Sequence, residues 1–441
     1  MSEQQSPAGC ESDTVMPRSA VKRKYQPEMA DFHSNEPGND GKSTVKFNDM
    51  GDHVIDVILC YLHLEDLANI SDISTRLRGL ASLVFSRKHA HRLISMDVYR
   101  YGSNNCKELR EHYKIVCKHD VVVRIPDAET SFKLLRNFGA SIKHVRIHNI
   151  EYGQNKTYIL NVLQNLNKYI SDFCSDSLET LDVQGYRFLT LNKPFRNLRE
   201  LYLFARGFES SEALDFMPNV RTLRLGSIPK TMAKSYTKVE RIHMQVESDE
   251  EVQTFISFIR LNRQIKYLYL FISYHCRPEH NDAIYSSIAD NLTQLTTFKL
   301  YESNRPQLLS RHRFQGVESF SVECRGALHM FEFNGLRKLT LEGVHADPPN
   351  CVTIAQRNKK LKILKLPNLT EAYESDSFIQ SLLNELPELE QIIIDSDEEN
   401  RCSIVKNHLG SEWEQFEKKK IAKFRPSKNP ESQHFRKKKL N

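Results

Sequence analysis

Apolar and polar positions along this chain follow two periods, that of a helix near the N-terminal end and that of a strand over most of the remainder. Between Met50 and Ala81, residues Val54, Ile55, Ile58, Leu59 and Leu62 recur at i, i+1, i+4, i+5 and i+8. At 3.6 residues per turn this spacing lines one side of a helix. Glu65-Asp66 open a second short helix, their carboxylates suited to the positive end of its dipole, with Leu67 and Ile70 turned inward. Ser74 or Thr75 caps a third, which carries Leu77, Leu80, Ala81 and Val84 on one side. Three helices this short bury little area by themselves, so either a partner covers their remaining apolar face or they form a self-contained cap.

From residue 142 the pattern becomes LxxLxL, the strand signature of leucine-rich repeats. It is carried by Ile142-Val145-Ile147, Leu178-Leu181-Val183, Leu198-Leu201-Leu203, Val220-Leu223-Leu225, Val239-Ile242-Met244 and Ile265-Leu268-Leu270, with further units starting at Leu295, Val317, Leu336, Leu361 and Leu389. These starts lie on average about 25 residues apart, inside the ~20–29 range of the repeat. Polar residues mostly fill the gaps, as a strand with one buried face requires. Amphipathic helices fill the longer intervals, as at Val252, Phe255, Ile256 and Ile259, or Phe378, Ile379, Leu382, Leu383 and Leu386. The Asn or Cys that usually follows the motif is replaced by Tyr186, Arg206, Ile228 or Leu369, which predicts irregular turns or a nonstandard ladder. The expected fold class is α/β: a leucine-rich-repeat solenoid, a curved parallel sheet with outer helices, preceded by a small three-helix domain and flanked by disordered ends.

The helical segment resembles the F-box. The shared line runs through Asp52, Ile58, Tyr61-Leu62, Leu64-Glu65-Asp66-Leu67, Ile73, Arg76, Arg78 and Leu80-Ala81, with Met50, Gly51 and Leu77 standing where that family prefers Leu, Pro and Trp. The resemblance implies a substrate-recognition subunit of a Skp-cullin-F-box ubiquitin ligase. Its F-box would dock a Skp-type adaptor, and through it a cullin and a RING protein, by Met50, Val54, Ile58, Leu62, Leu64, Leu67, Ile73 and Leu77. The repeats would then bind the protein substrate. A nonligase repeat scaffold and a protein that binds nucleic acid through its basic ends are the other classes considered.

The organisation expected is a disordered segment 1–44 containing Pro7, Pro17, Pro27 and Pro37, an F-box over 45–91, a helical linker over 92–120, the solenoid over 121–400 and a basic, largely disordered tail over 401–441. Residues 411–441 carry ten Lys or Arg against four Glu, which equals the net charge of the whole chain, +6. Both ends are expected to be dispensable for folding, although Trp413 and Phe416 are placed to close the final repeat. The nine cysteines form no CxxC pair, and neither a signal peptide nor an apolar run long enough to span a membrane is present. The cytoplasm or nucleus is therefore the expected compartment.

Catalytic chemistry has little support. GxSxG, HExxH, P-loop and GxGxxG motifs are missing, and 16 glycines leave few candidates for phosphate-cradling loops. Cys106, His112, Cys117 and His119 match no common zinc spacing, so no metal and no cofactor is expected. The expected site is a binding face. If positions 1, 4 and 6 of LxxLxL point to the core, positions 3, 5 and 7 point to the concave side. Those positions hold Tyr202, Phe204, Arg224, Arg241, His243, Tyr267, Tyr269, Phe271, Lys299 and Tyr301. Aromatic anchors among cationic donors suit an acidic or phosphorylated protein segment.

Overall fold

The structure, a computed structural model, describes residues 49–98, 122–125, 128–149, 156–184, 189, 191–204, 212–303, 310–323, 331–342, 352–353, 356–366, 376–395, 413–417 and 421–426. Residues 51–441 belong to one compact unit, and the first fifty fall outside it. The segment 1–44, expected to be disordered, lies outside the described residues.

Three helices open the compact unit: α1 (Asp52–Leu59), α2 (Leu64–Ser71) and α3 (Thr75–Lys88). Ser74 caps α3 as its sequence suggests, its hydroxyl accepting from the Leu77 amide at 3.2 Å. Ile55, Leu59, Leu67, Ala68, Ala81, Val84 and Phe85 form their shared core. Helix α2 also packs against α4 (Ala128–Phe138). There Asn137 donates to the Ser71 hydroxyl at 2.6 Å and to Asp72 at 2.9 Å, and Arg136 pairs with Asp72 at 2.7 Å. The helices are thus continuous with the sheet behind them. The helical linker expected over 92–120 begins instead as strand β1 (Leu93–Val98), because Leu93, Ile94 and Met96 are apolar enough to be buried between two strands. β1 lies between β2 (Val122–Ile125) and β3 (His144–Asn149), parallel to both.

Parallel pairing then continues in chain order through β4 (Thr180–Gln184), β5 (Glu200–Phe204), β6 (Thr222–Leu225), β7 (Arg241–Val246), β8 (Tyr267–Ile272), β9 (Thr297–Glu302), β11 (Ser319–Glu323), β13 (Lys338–Leu341), β14 (Ile363–Leu366) and β15 (Gln391–Asp395). Each LxxLxL site coincides with one of the strands from β3 onward. Their first positions, such as Leu198, Ile265, Leu295, Leu336 and Leu361, are buried together with the fourth, such as Leu201, Leu268 and Leu339. Several units return through a helix: α5 (Lys156–Phe173), the single turn α6 (Glu212–Asp215), α7 (Asp249–Leu261), α8 (Pro278–Asn291) and α9 (Asp376–Glu385), all but α6 in the longer intervals. Helix α7 packs on β7 and buries Val252, Phe255, Ile256, Phe258 and Ile259. Where successive units start only 22 and 19 residues apart, at 295, 317 and 336, the return is by strand. β10 (His312–Phe314) and β12 (Phe331–Phe333) pair in parallel there, and the space is filled by Phe298, Phe314, Phe320, Phe331 and Phe333. Gly316 is needed at this tight turn, since a Cβ on it would come within 2.7 Å of the Thr293 carbonyl oxygen.

Backbone hydrogen bonds link successive units where the chain enters the strands from β3 to β15. The carbonyl of the residue entering a strand accepts from two consecutive amides of the next unit. The Lys266 carbonyl, for example, accepts from Thr296 at 2.9 Å and Thr297 at 3.1 Å. The same pairing recurs from Lys143 to Gln391. It depends on strand position and not on side-chain type, which explains why the sequence shows no fixed residue for it.

The tail expected to be disordered over 401–441 contributes two further strands, β16 (Trp413–Glu417) and β17 (Ile421–Pro426). β17 pairs antiparallel with β15, and β16 with β17. The edge of β15 provides unpaired amides and carbonyls that this segment satisfies.

Candidate functional site

Strands β7, β8 and β9 alternate between half-buried or exposed and buried positions, so the residues at positions 3, 5 and 7 stand on the face away from the core. Parallel register aligns them in rows. One row runs Asp182, Tyr202, Arg224, His243, Tyr269, Lys299, Ser321 across successive strands. Arg241 and Tyr267 are neighbours in a second row, and Gln245, Phe271, Tyr301 and Glu323 in a third.

The rings pack on one another. His243 stacks with Tyr267 at 5.2 Å and with Tyr269 at 5.3 Å between centroids, and Phe271 with Tyr301 at 4.8 Å. The Arg224 guanidinium sits 4.6 Å from the centroid of Tyr202 and that of Arg241 6.0 Å from Tyr267. Such contacts hold a cation over a ring face while leaving its N–H edge free to bind. The Nε of Arg224 is buried with no hydrogen-bond partner among the described residues. Of the acidic residues around the face, Asp182 pairs with Arg146 at 2.7 Å, Glu240 with Lys266 at 3.2 Å, Glu200 accepts from Tyr202 at 2.6 Å and Glu342 from Ser321 at 3.0 Å. Burial, followed by the charges of Arg224, Lys299 and Arg241, pushes the His243 imidazole down to about 3, so it is neutral at physiological pH. Burial, followed by Glu342 and Glu323, pushes the Tyr269 phenol up to about 12. The face therefore presents a neutral aromatic floor with Arg224, Arg241 and Lys299 as its positive charges, bordered on the far side of β9 by Glu323 and Glu342, which act on Tyr269.

One of the aromatic residues departs from the expected outward anchors. Tyr202 is only 7% exposed, because Arg224 lies over its ring and its hydroxyl donates to Glu200 at 2.6 Å. It supports Arg224 and is not itself a contact surface. Phe204, at 43%, is the most exposed of the aromatics expected on this face, in agreement with an outward position.

The helices supply the second candidate surface. Val54, Ile58 and Ile73 of the expected adaptor set are exposed, Ile73 at 71%, while Met50 and Leu62 are half-buried. Leu64, Leu67 and Leu77 are corrected: they are buried, in helices that pack on one another and, for α2, on α4 as well. Val57, Leu83 and Tyr61, the last at 85%, were missed. Their signal was available, since Val54, Val57, Ile58 and Tyr61 stand at i, i+3, i+4 and i+7. Val54, Val57 and Ile58 form a second apolar stripe on α1, which already buries Ile55 and Leu59, and Tyr61 follows in the turn past its end.

Among the described residues no cluster of three or more His, Cys, Asp or Glu is arranged to hold a metal, and no helix is long and apolar enough to cross a membrane. Cys106, His112, Cys117 and His119 lie outside the described residues. No protein-family model matches the chain, and no curated protein matches it by sequence.

Proposed function

We propose that this chain is the substrate-recruiting subunit of a Skp-cullin-F-box ubiquitin ligase, its helices α1 to α3 an F-box and its sheet a leucine-rich-repeat solenoid. The observation that carries the proposal is the outward stripe Val54, Val57, Ile58 and Tyr61, joined by Ile73 and Leu83. An exposed apolar surface on a helix that is apolar on both sides calls for a protein partner, and Ile58, Tyr61 and Ile73 belong to the line that resembles the F-box. In this reading the subunit has no catalytic residue and needs no cofactor. A Skp-type adaptor covers the stripe and links it to cullin and RING protein, and the aromatic and cationic face of β5 to β9 captures the protein substrate.

Copurification of the full chain tests the reading. A Skp-type adaptor coelutes with the wild-type protein, and Ile58→Asp abolishes coelution at unchanged melting temperature, since a charge at an exposed position costs nothing until a partner buries it. Absence of the adaptor from the wild-type eluate would favour a scaffold that uses the repeats alone, and salt-sensitive nucleic acid in its place would favour the basic ends as the functional part.

A further inference from the structure

We infer that the face formed by β6 to β9 binds an extended segment of a partner protein that lies across the strands. This segment carries carboxylates at its first and fifth positions and an apolar side chain at its third. The inference rests on reading this face as the substrate-capture surface and names what it captures.

Geometry sets the spacing. Arg224 on β6 and Lys299 on β9 occupy the same row, three strand steps apart, with His243 and Tyr269 between them. At ~4.8 Å per step the two cations stand about 14 Å apart, a span that an extended peptide rising ~3.4 Å per residue covers in about four residues. Positions 1, 3 and 5 of such a peptide point to the same side. The two ends then meet the cations, and the middle residue meets the ring pair of His243 and Tyr269, 5.3 Å between centroids. A neutral imidazole at that place offers no charge to the middle residue, so an apolar side chain suits it. Arg241, one strand from Arg224 and in a different row, lies alongside the path of the peptide.

Charge selects carboxylate over phosphate. A phosphate dianion is held best where several donors converge, whereas these cations stand singly and two of them are spread over aromatic rings. Arg224 is half-buried, and its guanidinium, held over Tyr202, is matched in charge by a single carboxylate. Beyond β9 the sign changes, as Glu323 follows Tyr301 in its row. The acidic pair is thereby confined to β6 to β9.

Fluorescence anisotropy of labelled peptides with the full-length wild-type protein tests this directly. A peptide with Asp at positions 1 and 5 and Leu at 3 binds at least about tenfold tighter than one with Asp at 1 and 3, or one with Asn at 1 and 5. Arg224→Gln removes the preference for Asp over Asn at one end only, and Lys299→Gln at the other end only. Indifference to spacing, no binding of the first peptide, or binding more than about tenfold tighter when phosphoserine replaces Asp overturns the inference. The spacing comparison uses unaltered protein, so misfolding of a variant cannot hide the answer. Adaptor coelution is measured on the same preparation: its loss with peptide binding intact refutes the ligase reading alone, and its presence without peptide binding refutes this inference alone.

Discussion

Leu268 and Tyr269 are adjacent in sequence and serve opposite sides of the sheet: the leucine is fully buried, while the tyrosine is half-buried among rings and cations. Leu268→Ala should therefore cost ~2–5 kcal/mol through the cavity it leaves, and calorimetric melts should show it. Tyr269→Ala should leave the melt nearly unchanged and weaken substrate capture by about 1–3 kcal/mol. A large stability loss from Tyr269→Ala would place that ring in the core. The division was legible in the sequence because a strand turns alternate residues to opposite sides. What was not legible is which outward residue is covered by its neighbour. Tyr202 is closed off by Arg224, 22 positions further along, and such a contact depends on strand register and rotamer. Leu64, Leu67 and Leu77 illustrate the same limit. A helix with two apolar stripes does not declare which one faces the core, and α2 is covered by α4, more than sixty residues away, as well as by α3.

Helix α8 shows how one element is held to the sheet by a titratable group. Glu302, at the end of β9, is buried and accepts from Asn281 and, at 2.8 Å, from the Tyr285 hydroxyl, both on α8. Burial pushes its carboxyl from the model-compound value of 4.5 up to about 8. Between these two values the unfolded chain has released the proton and the folded chain keeps it, so stability falls as pH rises from about 4.5 to about 8. Glu302→Gln, which cannot ionise, should flatten that decline in a series of melts across the range; a decline that persists in the variant would mean another group is responsible. His243 acts with the opposite sign. Its imidazole stays neutral in the fold down to about 3, so as pH falls from 6.5 towards that value the unfolded state takes up the proton alone and stability is lost. Neither shift was legible in the sequence, where His243 reads only as an outward strand position. The burial of Glu302 follows from α8, whose Tyr285 and Asn281 close over the strand end.

The sheet as a whole has two ends, and they are finished differently. At one end β2 is the last strand, while at the other β15 is followed by the antiparallel pair β17 and β16. Without that pair the edge of β15 would present Gln391–Asp395, a run with three consecutive isoleucines, as open backbone. Short apolar strands with free amides recruit further strands, which is the usual route from an open edge to aggregation. The sequence concealed this cap because an antiparallel pair on an edge is held by backbone hydrogen bonds and needs no LxxLxL. The ten basic residues of 411–441 read as a solvated tail for the same reason. Truncation after Asn400 should therefore lower the melting temperature and make sedimentation concentration-dependent, in contrast to the dispensable tail that charge alone implies. Adaptor coelution should persist in the truncated protein, because α1 to α3 join the sheet through α4 beside β1, at the end opposite β15. A truncated chain that remains monomeric with an unchanged melt would show that β15 tolerates an open edge and that β16 and β17 add nothing to the stability of the fold.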